Sequence, residues 1–248
     1  MERKTRLNPI SLVADLHCHT LASSHAYSTV TELAEAAARK GLLAVGCTDH
    51  GVAMPDSPHP WHFFNLDTLP DRIAGVRVLR GVEANVLDAS GRLDMPEEIL
   101  DKLELTVASM HGDACKAMSK EACTAAWLAV AENPRVDIIG HSGAPQFAYD
   151  YETVIPAFGR GGKAVEINEN TFLVRRSSLP NCRRIAALCK RYRVPVAVDS
   201  DAHYHGNVAQ VPQSLALLRE VDFPPELIIN ASKESMNAFF ARRGILLE

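Results

Sequence analysis

The sequence predicts an α/β protein whose strands run parallel and wind into a barrel. Three observations carry this expectation. Short apolar runs alternate with helix-patterned segments seven times along 248 residues, with no break in composition, and such alternation builds a parallel sheet with crossover helices. The length suits one large domain with a full core, a size at which α/β barrels stay undivided. Residues able to bind metal recur at the ends of the apolar runs, where parallel barrels carry their chemistry.

The first run, residues 11–14, leads into Asp15-Leu16-His17-Cys18-His19, with His25 close behind. Side chains alternate faces along a strand, so His17 and His19 point one way and Cys18 points the other, into packing. A helix follows over residues 31–40, with Thr29 and Glu32 spaced as a capping box and Gly41 at its stop. The second strand, residues 42–48, ends in Asp49-His50-Gly51. Residues 52–70 are rich in Pro and His and read as a long irregular loop, a kind that is usually functional. The third strand, residues 76–82, ends in Glu83, with a turn at Ala89-Ser90-Gly91 and a short helix over 96–102. The fourth strand, 105–110, ends in His111, and the helix after it, 119–132, stops before Pro134. The fifth, 136–140, ends in His141 and precedes a helix over 151–158 that contains Pro156. The sixth, 163–168, carries Glu166, and a helix over 181–192 follows. The seventh, 194–198, leads into Asp199-Ser200-Asp201-Ala202-His203, and helices over 213–221 and 233–243 flank a short apolar run at 227–229.

Apolar residues make up 47% of the chain and charged residues 23%, ordinary for a globular protein. A formal charge of −4 leaves no basic footprint. An extended nucleic-acid surface is therefore not expected, although a small site could take a nucleotide. No apolar run reaches membrane-spanning length, so no membrane partner is expected. The N-terminal segment carries Arg3, Lys4 and Arg6 but is broken by Asn8, Pro9 and Ser11, unlike a secretory signal. Cys18, Cys47, Cys115, Cys123, Cys182 and Cys189 form no CxxC pair and read as reduced and mostly buried, in a cytoplasmic protein. Assembly into a homo-oligomer is left open.

In a parallel barrel every strand points the same way, so residues at the carboxyl ends gather on one face. The candidates there are His17, His19, His50, Glu83, His111, His141, Asp201 and His203. Their donors are imidazole nitrogen and carboxylate oxygen without thiolate, the chemistry of zinc, manganese or iron sites. They are too many for one tetrahedral ion, which implies two or three ions with a carboxylate such as Glu83 as a bridge. A lone histidine is more often satisfied by a hydrogen bond; the shared placement is what argues for a site. Asp49 is offset from His50, and Asp199 from Asp201, so both face elsewhere, Asp49 as support for the ligands. Glu166 fits a site residue or a packed one equally well.

The HxH of the first strand, His25 after it, Thr48-Asp49-His50-Gly51, Glu83, the isolated His111 and His141, and Asp199-Ser200-Asp201-Ala202-His203 resemble the PHP (polymerase and histidinol phosphatase) family. Within it the chain is most similar to the YcdX-type phosphatases, through stretches such as Trp61-His62-Phe63, Arg80-Gly81-Val82-Glu83-Ala84-Asn85 and Glu166-Ile167-Asn168. The resemblance implies a single PHP domain over residues 1–248 and a distorted TIM-like barrel of seven parallel strands, (β/α)7. It also implies three divalent metal ions, usually zinc, with manganese or iron as alternatives. Carried over, one ion falls to His17, His19, Glu83 and Asp201. A second falls to His25, His50 and His203, and a third to Glu83, His111 and His141. One departure is local: similar members have His-Pro-Gly where this chain has His141-Ser142-Gly143, and the loop at Gly112-Asp113-Ala114-Cys115-Lys116 is also individual.

The reaction expected is hydrolysis of a small phosphate monoester by a metal-bound hydroxide, since clustered ions activate water and stabilise charge on the attacking and leaving oxygens. No Ser or Cys motif demands a protein nucleophile. Arg175 and Arg176 either grip phosphate or lie as solvated charge. His62 or His59 is a candidate to protonate the leaving group, and Asp49 to assist. Three rivals stand beside this reading. One is a phosphodiesterase or exonuclease acting on nucleotides. Another is an amidohydrolase-type enzyme, which commonly needs a bridging lysine that this sequence lacks at a strand end. The third is a metal-binding regulatory module that has lost activity.

Overall fold

The structure is a computed structural model and describes residues 10–247; Arg3, Lys4, Arg6, Asn8 and Pro9 lie outside them. Seven parallel strands form a nearly closed barrel in chain order: β1 (Ala14–Asp15), β2 (Ala44–Cys47), β4 (Val76–Asn85), β5 (Leu105–Ser109), β6 (Ile138–Ile139), β7 (Ala164–Asn168) and β8 (Val196–Asp199). A two-residue strip, β3 (Arg72–Ile73), pairs antiparallel with β4. The α/β alternation therefore gives the expected barrel. The ladders are short, and only two residue pairs join β5 to β6.

The first and last strands meet through side chains more than through a ladder. Leu16 N donates to Asp199 Oδ1 at 2.8 Å, and Ser200 N donates to Asp15 Oδ1 at 3.1 Å. Asn230 Nδ2 donates to Ala14 O and to Val198 O from the loop beyond β8. The expected run at 227–229 adds one bridge, between Val196 and Ile228, and forms no strand. Asp199 thus serves the closure of the barrel and not the cavity above it.

The helices form where the sequence signals them. Helix α1 (Val30–Arg39) begins at a complete Thr29–Glu32 capping box and ends at Lys40, with Gly41 at φ +73°, a left-handed conformation that costs glycine little. Two short helices break segments read as irregular: α2 (Pro60–Phe64) in the long loop and α6 (Asn170–Val174) after β7. In α2 the buried Phe63 anchors a chain whose Trp61 and Phe64 face out. Helices α3 (Glu97–Leu100), α4 (Lys120–Glu132), α5 (Tyr151–Arg160), α7 (Leu179–Tyr192) and α8 (Pro212–Glu220) follow their strands, and α9 (Lys233–Phe240) ends the barrel.

The barrel interior is filled by Leu16, Leu79, Leu105, Ile138, Ala164 and Ala197, capped by Met236 and Phe240 of α9. Between sheet and helices lies a larger core around Trp127, Phe158, Ile155 and Ile185. All six cysteines are free, and all but the half-buried Cys182 are buried. Among the described residues no helix is long and apolar enough to cross a membrane.

Candidate metal centre and active site

Glu83 stands at the middle of the carboxyl face, on the extended end of β4, which runs past the expected limit to Asn85. Its carboxylate is almost fully buried and is ringed by imidazoles. Oε1 lies 2.8 Å from His141 Nε2 and 3.4 Å from His111 Nε2. Oε2 lies 2.9 Å from His50 Nδ1, 3.4 Å from His17 Nε2 and 3.6 Å from His19 Nε2. Asp201 joins from the loop after β8, its Oδ1 3.2 Å from His19 Nε2 and 3.8 Å from His17 Nε2. The rings of His25 and His203 have centroids 4.5 Å apart, and His203 also stacks on His19 at 4.3 Å. The nine expected ligands therefore converge.

These donors fit divalent cations on a test independent of spacing. His50 Nδ1, His111 Nε2, His203 Nε2 and Glu83 Oε2 are buried and none makes an aligned hydrogen bond among the described residues, although His50 Nδ1 and Glu83 Oε2 lie 2.9 Å apart. A buried lone pair left unpaired is costly, and four at one spot ask for a shared positive charge. Four triads bring their ligand atoms within 4.8 Å of one another: His17, His19, Glu83; His19, His50, His203; His50, Glu83, His111; and His25, His50, Asp56. Three of them mix imidazole nitrogen with carboxylate oxygen and the all-histidine triad offers nitrogen alone, donor sets that zinc and its neighbours accept.

The electrostatics agree. Burial pulls His19 and His111 down to about 3, with neighbouring histidines adding to it, so both are neutral near pH 7 and free to ligate. Burial also opposes ionisation of Glu83 and Asp201, yet the surrounding histidines hold both well below the usual carboxylate range. Burial works against a charged His17, but Glu166, Glu83 and Asp201 outweigh it and raise its pKa well above the ordinary value. The carboxylates thus gather a negative field that a proton on His17 or a divalent cation would balance.

The supporting residues are partly those expected. Glu166, equally open from sequence, faces the site: its Oε1 takes His17 Nδ1 at 2.7 Å and its Oε2 accepts from His141 N at 2.7 Å. One carboxylate thus fixes ligands from two strands. Asn85 Oδ1 holds His111 Nδ1 at 2.8 Å, and Asp94 holds Asn85 in turn at 2.6 Å. Sequence reasoning passed over Asn85, although it lies two residues after Glu83 on the same strand face. It also passed over Asp56, whose Oδ2 lies 2.5 Å from His25 Nδ1, and Ser23, whose Oγ accepts from His50 N. Both sit in loops, where no period marks them.

The helpers expected for the chemistry do not all reach the cavity, and Asp49 faces elsewhere as its offset from His50 implies. Asp49 does not reach the cavity; it is buried and accepts from Thr20 N, Thr20 Oγ1 and Ser23 Oγ. Burial opposes its charge, but His62 and these donors hold its pKa well below the ordinary value. His62 turns its Nε2 to Asp49 Oδ2 at 3.2 Å, away from the cavity, because α2 lies over the loop after β2. His59 is spent capping α2, accepting from Trp61 N. The arginine pair divides: Arg175 Nη1 meets Asp201 Oδ2 at 3.2 Å and lines the cavity, whereas exposed Arg176 turns back to Phe172 O.

Above the ligands opens a cavity of about 840 Å³, walled by the loops that follow β2, β5, β6, β7 and β8. Gly112 and Asp113 of the loop after His111 form part of its rim. Ser142 beside the ligand His141 is buried, with its Oγ 3.0 Å from Tyr149 Oη.

Comparison with known proteins places the chain in a family. The PHP domain model matches residues 15–170. A probable phosphatase of Acetivibrio thermocellus is 42% identical over 234 residues, covering 94% of this chain and 97% of its own. The probable phosphatase TTE1963 of Caldanaerobacter subterraneus subsp. tengcongensis is 43% identical over 237 residues, covering 94% and 93%. In fold, the chain is similar to the histidinol phosphate phosphatase of Lactococcus lactis, solved with Zn, L-histidinol and phosphate. That match has a TM-score of 0.59 and 18% identity, covering 85% of this chain and 94% of that one. With more than half its length inside the family model and near-full-length relatives named as phosphatases, the chain belongs to the PHP domain family.

Proposed function

We propose that this phosphatase hydrolyses a small phosphate monoester with three divalent ions, zinc in the first instance and manganese or iron as alternatives. The observation that carries the reading is Glu83, both of whose oxygens face imidazoles, with lone pairs around it left unpaired. In this reading His17, His19, Glu83 and Asp201 hold one ion, His25, His50 and His203 a second, and Glu83, His111 and His141 a third. Bound there, such ions lower the pKa of water and offset charge on phosphoryl oxygens.

The chain's own residues supply the frame. Glu166 orients His17 and His141 together, and Asn85 orients His111, so the ligand nitrogens are aimed before any ion arrives. Arg175 sets a permanent positive charge at the cavity wall beside Asp201, suited to a phosphoryl oxygen. It is the sole Lys or Arg among the described residues that line the cavity. A nucleic-acid strand needs a run of such charges, so the monoester is favoured over a long polynucleotide. No lysine lines the cavity to bridge ions in the amidohydrolase manner, again among the described residues.

The test is phosphate release from p-nitrophenyl phosphate and bis(p-nitrophenyl) phosphate. The protein is assayed as purified, after chelation, and after reloading with zinc or manganese, with metal content measured alongside. Three ions per chain and metal-dependent turnover of the monoester are expected. Turnover of the diester alone, or full activity in the chelated protein, overturns the reading.

A further inference from the structure

From the outer cavity we infer that the natural substrate is the phosphate ester of an uncharged, non-aromatic polyhydroxylated compound, a sugar or polyol phosphate. This rests on the monoester reading above and adds the identity of the leaving group. The cavity has two ends. The inner end holds the ligand face and Arg175, which suit the phosphoryl group. The outer end belongs to the leaving group, and carboxamide and aliphatic side chains dominate its lining.

Five carboxamides line it: Gln146 after β6, Asn170 after β7, and Asn207, Gln210 and Gln213 after β8. Among the described residues, none hydrogen-bonds the side chain of Gln146, Asn207, Gln210 or Gln213, and all four are exposed. A carboxamide both donates and accepts, which is what a hydroxyl needs in a partner. Met54, Met110, Leu173 and Val174 line the same cavity. A lining that offers both amides and aliphatic carbon suits a sugar, whose hydroxyls are polar and whose C–H face is not.

The charges on the wall speak against other leaving groups. Glu169 is buried with both oxygens engaged, accepting from Gln213 N at 3.1 Å and Ser214 N at 2.7 Å at the start of α8. That leaves Asp113 outside the ligand face, and at the exposed rim a solvated carboxylate pairs only weakly with an ammonium group. Arg175 is engaged with Asp201 at the phosphoryl end, so a carboxylate leaving group finds no counter-charge. No Phe, Tyr or Trp is among the described residues lining the cavity, so a nucleobase has no aromatic face to stack on. Hydrolysis transfers the phosphoryl group to water and releases the polyol, whose ester oxygen takes up a proton.

The experiment compares kcat/KM of the metal-loaded protein for glucose 6-phosphate, sorbitol 6-phosphate, histidinol phosphate, AMP and 3-phosphoglycerate, with p-nitrophenyl phosphate as reference. The sugar and polyol esters are expected to exceed the cationic, aromatic and anionic ones at least tenfold. Gln213→Leu and Gln210→Leu are expected to raise KM for the sugar ester severalfold, with a smaller change in kcat, and to lower the ratio of sugar to aryl turnover. Turnover of p-nitrophenyl phosphate with no preference for the hydroxylated esters, or with histidinol phosphate or AMP ahead, overturns this inference and leaves the monoester reading intact. Failure on every monoester, aryl included, overturns both.

Discussion

The two ends of the barrel bury charge in opposite ways. At the amino end, Asp137 is fully enclosed but saturated: Arg242 Nη2 donates to Oδ1 at 2.7 Å, Arg243 Nη2 to Oδ2 at 2.8 Å, and Thr106 N to Oδ2 at 2.9 Å. Lys163 beside it is buried with its ammonium on Asn133 O and Val136 O. At the carboxyl end, Glu83 is as deeply buried, yet the imidazoles around it include ring nitrogens left without partners among the described residues. Burial and charge are the same at both ends. What separates a staple from a site is whether the polar atoms already have partners.

Substitutions at each end test that contrast. The largest effect is expected from Glu83→Ala, which removes the group shared by five histidines. It should cut kcat for an aryl phosphate by roughly a thousandfold or more, the scale of losing metal-borne charge stabilisation. It should also lower metal content, and a variant that keeps both would break the contrast. Next comes metal itself. Adding zinc to the chelated protein should raise stability by about 4 kcal/mol at a thousandfold excess over Kd, read as an upward shift in Tm. The amino end should respond in the reverse sense. Asp137→Asn is expected to cost about 3 kcal/mol by leaving two arginines unpaired, roughly 6–12 °C in Tm for a chain of this size, with kcat of the folded fraction and metal content unaltered. Glu166→Gln sharpens the comparison from within the site. It keeps the shape but weakens the hold on His17 and His141, for about a 10–100-fold loss in metal affinity or activity. The smallest effect is expected from His62→Ala, about twofold or less in kcat, as for positions away from the chemistry. A large loss there would return His62 to the reaction.

What the sequence disclosed follows from periodicity. Strands are short-range objects, and the rule that ligands end parallel strands reads straight off His17, His50, Glu83, His111 and His141. The capping box of α1 is equally local. What it hid depends on how loops lie in space. Asp49 and His62 face each other because α2 folds over the loop after β2, and nothing in the Trp61-His62-Phe63 stretch states that direction. Asp56 meets His25 across 31 positions of chain, and Glu166 meets His17 across 149. The parting of Arg175 from Arg176 is a matter of one helix end, since α6 stops between Val174 and Arg175. Asn85 is the miss that a stricter reading would have avoided, for the period-two rule that selected His17 and His19 selects Glu83 and Asn85 as well.

The seam between β1 and β8 has a consequence for the order of events during synthesis. His17 and His19 emerge from the ribosome with the first strand, whereas Asp201 and His203 emerge with the last. The contacts that bring them together run from Asp15 and Leu16 to Asp199 and Ser200, across more than 180 positions of chain. A chain that ends before β8 therefore lacks Asp201 and His203 and the contacts that close the barrel beside His17 and His19. Closing the seam and completing the ligand face are thus one event.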